Sequence, residues 1–177
     1  MSIDIANEAG IDVDEVGLAA VARFTLDQMR IHPLAELSVL LVDERTMTEL
    51  HERWMGEPGP ADVLAFPMDE LRPPVPPHLG GARGDREGPD GPEPSPALLG
   101  DVVLCPQVAA GQAREARHSV TDELELLCTH GLLHLLGYDH ADAAERATMF
   151  RLQEQLLASW RAAKARASDP EGQKGPG

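Results

Sequence analysis

Cysteine is nearly missing from this chain. Only Cys105 and Cys128 occur in 177 residues, which gives no disulfide framework and suits a reducing compartment. Aromatic residues make up 3%, so a core has to rest on Leu, Val, Ile, Ala and Met. No apolar run approaches the roughly 20 residues of a membrane-spanning helix. The first ten residues carry acidic groups where a secretory signal would place positive charge and an apolar stretch. These absences predict a cytoplasmic protein without membrane association. Positive charge is also scarce: 15 Lys and Arg stand against 30 Asp and Glu, a formal net charge of −15. That balance opposes broad attraction to nucleic acid, so any such contact needs a local basic cleft or a metal ion.

The 42% hydrophobic content fits a globular protein, and the length fits one domain able to bury its own core. Residues 1–167 are expected to form that domain. Residues 69–96 interrupt it with eight of the fifteen prolines, five of the sixteen glycines and few apolar side chains. Such a stretch cannot contribute to a core and reads as a loop or disordered insertion between two neighbouring strands. Residues 168–177 are polar, contain Pro and Gly, and are expected to form a disordered tail.

Four short strands are predicted. Ser2 to Ala6 alternates polar and apolar residues, Leu37 to Val42 is a β-rich apolar run, and Asp62 to Phe66 and Leu98 to Cys105 follow. Helices are expected between and after them. One spans Val13 to Met29, capped by Asp12 or Asp14, with Val16, Ala20, Val21, Phe24 and Met29 on its apolar face. A second follows Asp43, with Met47, Leu50 and Trp54 on one side. Pro106 suits the first turn of a third. Thr121 opens a fourth with an acidic first turn, and Asp142 caps a fifth that carries Met149, Leu152, Leu156 and Trp160.

The fourth helix holds the most informative residues: His130-Gly-Leu-Leu-His134-Leu-Leu-Gly137-Tyr-Asp-His140. Histidines four apart on a helix lie about 40° apart around its axis, one turn above the other. Gly137 can take the left-handed conformation that ends a helix and reverses the chain. That reversal can bring His140 back to the same point. Three convergent neutral imidazoles suit one zinc ion. Cys128 points to roughly the opposite side of the helix, and Cys105 and His118 have no ligand-like spacing. Three ligands with an open fourth position indicate a catalytic rather than a structural metal. The spacing is that of the metzincin proteases, but Gly131 stands where a zinc protease has its glutamate base.

This stretch resembles the signature of the bacterial rRNA maturation factors of the YbeY type, a family of zinc-dependent endoribonucleases. Gly59 to Pro67 (Gly-Pro-Ala-Asp-Val-Leu-Ala-Phe-Pro) is similar to the family's Pro-Thr-Asp-Val-Leu-Ser-Phe-Pro segment, and Leu99 to Cys105 to its Leu-Gly-Asp-Ile-Val strand. The blocks occur in the family's order and extend the resemblance over roughly residues 1–165. It implies an α+β fold: a small mixed sheet of about four strands with helices packed on it, and the zinc site on a helix and the following turn. It also implies zinc ligation by His130, His134 and His140, cleavage of single-stranded RNA, and a role in rRNA maturation with the small ribosomal subunit and its assembly proteins. Met55 occupies the usual place of a family arginine; Arg53, two residues earlier, either reaches the cleft in its stead or is an ordinary surface charge. Ala61 and Ala65 replace the family's hydroxyl residues. No residue declares itself as the general base. The competing readings are a non-catalytic assembly factor in which zinc fixes the helix turn, and a metalloprotease.

Overall fold

The computed structural model describes residues 1–68 and 98–168. The expected insertion at 69–96 and residues 169–177 of the expected tail lie outside the described residues. Among the described residues nine elements follow one another: β1 (Ser2–Asn7), α1 (Glu15–Gln28), β2 (Glu36–Leu41), α2 (Glu44–Met55), β3 (Val63–Pro67), β4 (Leu98–Leu104), α3 (Pro106–Ala116), α4 (Val120–Leu135) and α5 (Ala143–Ser168). Ser168 thus closes α5. No described helix is long and apolar enough to cross a membrane.

The strands form one mixed sheet in the order β1-β2-β4-β3. The first three are parallel, and β3 runs antiparallel along β4, from Val63 opposite Leu104 to Pro67 opposite Gly100. The strands flanking the 69–96 stretch are therefore neighbours, as expected. β2 lies inside the sheet, and its apolar run alternates faces. Leu37, Val39 and Leu41 pack with Val102 and Leu104 against α1 and α4. On the other face, Val103 and Leu64 pack with Met47 of α2. Burying each large aliphatic side chain contributes about 1.5–3 kcal/mol, and this two-sided burial fixes the sheet between its helices.

Gly100 makes the β3–β4 pairing possible. It has φ +132°, and a Cβ there would sit 2.2 Å from the Phe66 carbonyl oxygen. Only glycine tolerates both the conformation and the contact. The register between β2 and β4 shifts at the same level, with Glu36 opposite Leu98 and Leu37 opposite Gly100. Such a shift is a β-bulge, which takes up one extra residue of β4 beside β2.

Helix starts follow the side-chain caps. Asp14, Asp43 and Asp142 accept hydrogen bonds from the N–H groups of Gly17, Thr46 and Glu145 at 2.8–2.9 Å. The fourth helix begins earlier than the sequence suggested: Ser119 accepts from Asp122 N–H, so Thr121 already lies in the first turn. In α1 the buried face is Leu18, Val21, Ala22, Thr25 and Leu26, while Val16 is 83% exposed. The assumed stripe was rotated, because α4 and the sheet lie on the side of Leu18. Trp54, expected on the apolar face of α2, is 55% exposed and packs edge-on against Phe66.

Candidate metal centre

α4 is a largely buried helix, with Glu123, Glu125 and Thr129 among its buried residues. Its packing against the sheet is close because position 131 is glycine. A Cβ there would lie 2.9 Å from Val102 Cγ1 and 3.1 Å from Val63 Cγ2. The position next to His130 is therefore directed at β3 and β4, and a glutamate side chain has no room there.

The end of α4 shows how a local sequence signal sets geometry. Gly137 adopts φ +99°, its N–H donates to the His134 carbonyl, and Tyr138 N–H donates to Leu133 C=O. This is a Schellman ending with glycine at its left-handed position. Tyr138 packs onto the cluster of Leu133 and Met149, which anchors the reversed chain. Asp139 then accepts from His140 N–H at 2.7 Å and tightens the turn. His140 is returned toward α4, as the spacing predicted.

Ligand-capable nitrogens of His130, His134 and His140 all lie within 4.8 Å of one another. The Nε2 atoms of His130 and His134 are 3.1 Å apart. Two nitrogens bound tetrahedrally at 2.0–2.1 Å would be separated by about 3.3 Å, so the pair is near the spacing zinc requires. Cys128 is buried in the core and stands outside this group. Burial holds the His134 pKa below its usual value, and the neighbouring His130 and His140 push it the same way. A neutral imidazole keeps the lone pair that a metal needs.

α5 supplies a partner absent from the sequence reading. Gln153, 5% exposed, places Oε1 2.8 Å from His130 Nδ1. With Nδ1–H donating to this amide oxygen, the lone pair of His130 stays on Nε2, toward His134. One signal was available: Gln153 is a polar residue on the stripe of Met149, Leu156 and Leu157 that α5 buries. A buried amide on an apolar stripe calls for a specific partner.

Two clefts meet at His140. One, of about 690 Å³, is lined by Val63, Leu64, Ala65 and Pro67 of β3, by His134 and His140, and by the carboxylates of Asp139 and Glu145. The other, of about 610 Å³, runs past His51, Glu57, Asp62 and Gln112. Met55, Val63, Leu64 and His140 line both. β3 thus serves as core through Leu64 and as a cleft wall through its edge. Among the described residues, neither cleft is lined by Lys or Arg. Arg53 is exposed, with its guanidinium carbon 5.7 Å from the centre of the Trp54 ring. Residue 53 lies about 200° around α2 from Met55, which explains why Met55 and not Arg53 faces the histidines.

Together these features define an α+β protein with a three-histidine cluster able to hold a metal ion. The chain belongs to the YbeY family: residues 4–161 match the model described as Endoribonuclease YbeY. Endoribonuclease YbeY of Thermobifida fusca is 60% identical over 161 residues, covering 91% of this chain and 95% of the relative. That of Acidothermus cellulolyticus is 60% identical over 170 residues, covering 96% and 98%. The solution structure of TM1509 from Thermotoga maritima superposes with a TM-score of 0.54 at 25% identity, over 96% of this chain and 98% of that one.

Proposed function

We propose that this chain is a zinc-dependent endoribonuclease that cuts single-stranded RNA during rRNA maturation on the small ribosomal subunit. The observation that carries this reading is the convergence of His130, His134 and His140 in a chain of the YbeY family. These three side chains would hold one zinc ion, and residues 1–167 would act as one unit around it. Bound there, zinc would supply Lewis acidity toward water and a phosphate oxygen.

The protein's own groups set the rest. Gln153 orients His130, and the Gly137 turn positions His140. The clefts on either side leave room for a strand to enter and leave. Gly131 opposes a protease reading, because the position of the protease base packs against Val63 and Val102. The acidic lining, with Asp139 and Glu145 on one side and Glu57 and Asp62 on the other, opposes tight binding of free RNA. A cytoplasmic ribosomal particle and its assembly proteins would then present the substrate. The same lining lends weight to a non-catalytic assembly role.

The test is cleavage of an end-labelled single-stranded RNA, and of immature small subunits, by zinc-loaded protein. A folded His134→Ala variant and a chelator run beside it. Cleavage lost in both controls supports the reading. Failure of the loaded wild-type protein on both substrates refutes it and favours the assembly factor.

A further inference from the structure

His51 sits in the penultimate turn of α2, and its Nδ1 lies 2.9 Å from the carbonyl oxygen of Gly59. A carbonyl only accepts, so Nδ1 must carry a proton and donate it there. The ring is held by this bond, and its Nε2 is left as the exchangeable position. Such an arrangement fixes a histidine for proton transfer, with one nitrogen tied to an acceptor and the other turned to its task.

The ring lines the 610 Å³ cleft that also reaches His140. The other titratable groups lining that cleft are Glu57, Asp62 and His140. Asp62 is committed: one oxygen accepts from Val63 N–H at 2.7 Å and the other from Gln112 Nε2 at 3.1 Å. His140 belongs to the metal cluster, and Glu57 is an exposed residue of the turn after α2. His51 is the remaining group there with a fixed ring and a free proton-carrying position. Across the histidines, the other cleft offers Asp139, Glu145 and the Tyr138 phenol as further titratable side chains among the described residues, and Tyr138 is packed onto the Leu133 and Met149 cluster.

We propose that His51 is the general acid of the reaction, donating the Nε2 proton to the oxygen that leaves phosphorus. The proposal rests on the endoribonuclease reading above. In the step, the oxygen of a water molecule bonds to phosphorus from the side of Asp139 and Glu145. The bond from phosphorus to the departing ribose oxygen breaks, and its electron pair goes to that oxygen. The proton on Nε2 of the doubly protonated His51 ring moves to the same oxygen and makes it a hydroxyl, leaving a neutral ring that keeps its Nδ1–H on the Gly59 carbonyl. The proton released by the attacking water passes to solvent, and solvent returns one to Nε2. One water is consumed and the histidine is regenerated. In-line displacement needs the entering and leaving oxygens on opposite sides of phosphorus, and a phosphate at His140, which lines both clefts, would have one cleft for each.

The alternative is that His51 only pins the turn through Gly59, and the experiment separates the two. His51→Asn keeps a side-chain N–H for the Gly59 carbonyl but cannot act as an acid. His51→Ala opens a space that free imidazole can enter. Both are compared with wild type on whichever substrate, free RNA or immature subunits, the wild-type protein cuts, and zinc affinity is measured in parallel. His51→Asn is expected to cleave about 100-fold or more slowly with zinc affinity within twofold of wild type, and imidazole is expected to restore His51→Ala at least about tenfold. Activity of His51→Asn within threefold of wild type overturns the proposal and leaves the endoribonuclease reading intact. So does loss without imidazole rescue, or a parallel loss of zinc affinity. Absence of cleavage by the wild-type protein on either substrate removes both.

Discussion

Replacing Gln153 tests whether α5 belongs to the candidate metal centre or merely covers it. Gln153→Leu keeps the size of a buried side chain and removes the oxygen that accepts from His130 Nδ1 at 2.8 Å. His130 then loses the bond that fixes its ring and its tautomer. Loss of such outer partners costs 10- to 100-fold in metal affinity, or about 1.4–2.8 kcal/mol at 1.4 kcal/mol per factor of ten. The metal-free protein should not suffer equally, because leucine fills the space beside Met149 and Leu157. The assay is zinc affinity by competition with a chromophoric chelator, beside urea unfolding without metal. Gln153→Glu completes the series, since it keeps the acceptor and should retain affinity within about threefold or exceed it. Equal zinc affinity for wild type and Gln153→Leu would refute the reasoning and make the Gln153–His130 contact incidental.

Three further outcomes are expected. Gly131→Glu, which restores the residue of a zinc protease, should destabilise the fold by about 3 kcal/mol or more in urea, because Val102 and Val63 occupy its space; a stable variant with peptidase activity would contradict the packing argument. Burial pushes the Cys128 thiol up to about 12, and burial likewise raises Cys105. Neither thiol should then react with a disulfide reagent at pH 8 until the chain unfolds, and a fast-reacting native thiol would show that the core opens. The His134 pKa lies below its ordinary 6.5, so the folded chain binds fewer protons than the unfolded one in that region. Its contribution to stability is present above about pH 6.5 and is lost as pH falls through the folded value. Metal-free wild type should therefore lose more melting temperature between pH 7.5 and 5.5 than His134→Gln does, and identical losses would disprove the link.

What the sequence determined by itself is the part of the protein written in short-range spacing. His130 and His134 share a helix face because a turn is 3.6 residues, and His140 returns because Gly137 accepts φ +99°. The aspartate caps, the four strands and Pro106 at a helix start belong to the same class of local rule. Only the tertiary structure decided which side of each element is buried and what lies opposite. Val16 and Leu18 both suit an apolar stripe, and α4 with the sheet selects Leu18. Whether residue 53 or 55 faces the cleft depends on how α2 rolls against β3, and that roll presents Met55. Gln153 meets His130 across 23 residues of chain, and His51 shares a cleft with His140 from 89 residues away. The clearance that makes position 131 a glycine is set by Val63 and Val102, on two strands brought together by the antiparallel pairing of β3 with β4. Periodicity reports the shape of one element, whereas these contacts require the packing of several elements, which no local spacing encodes.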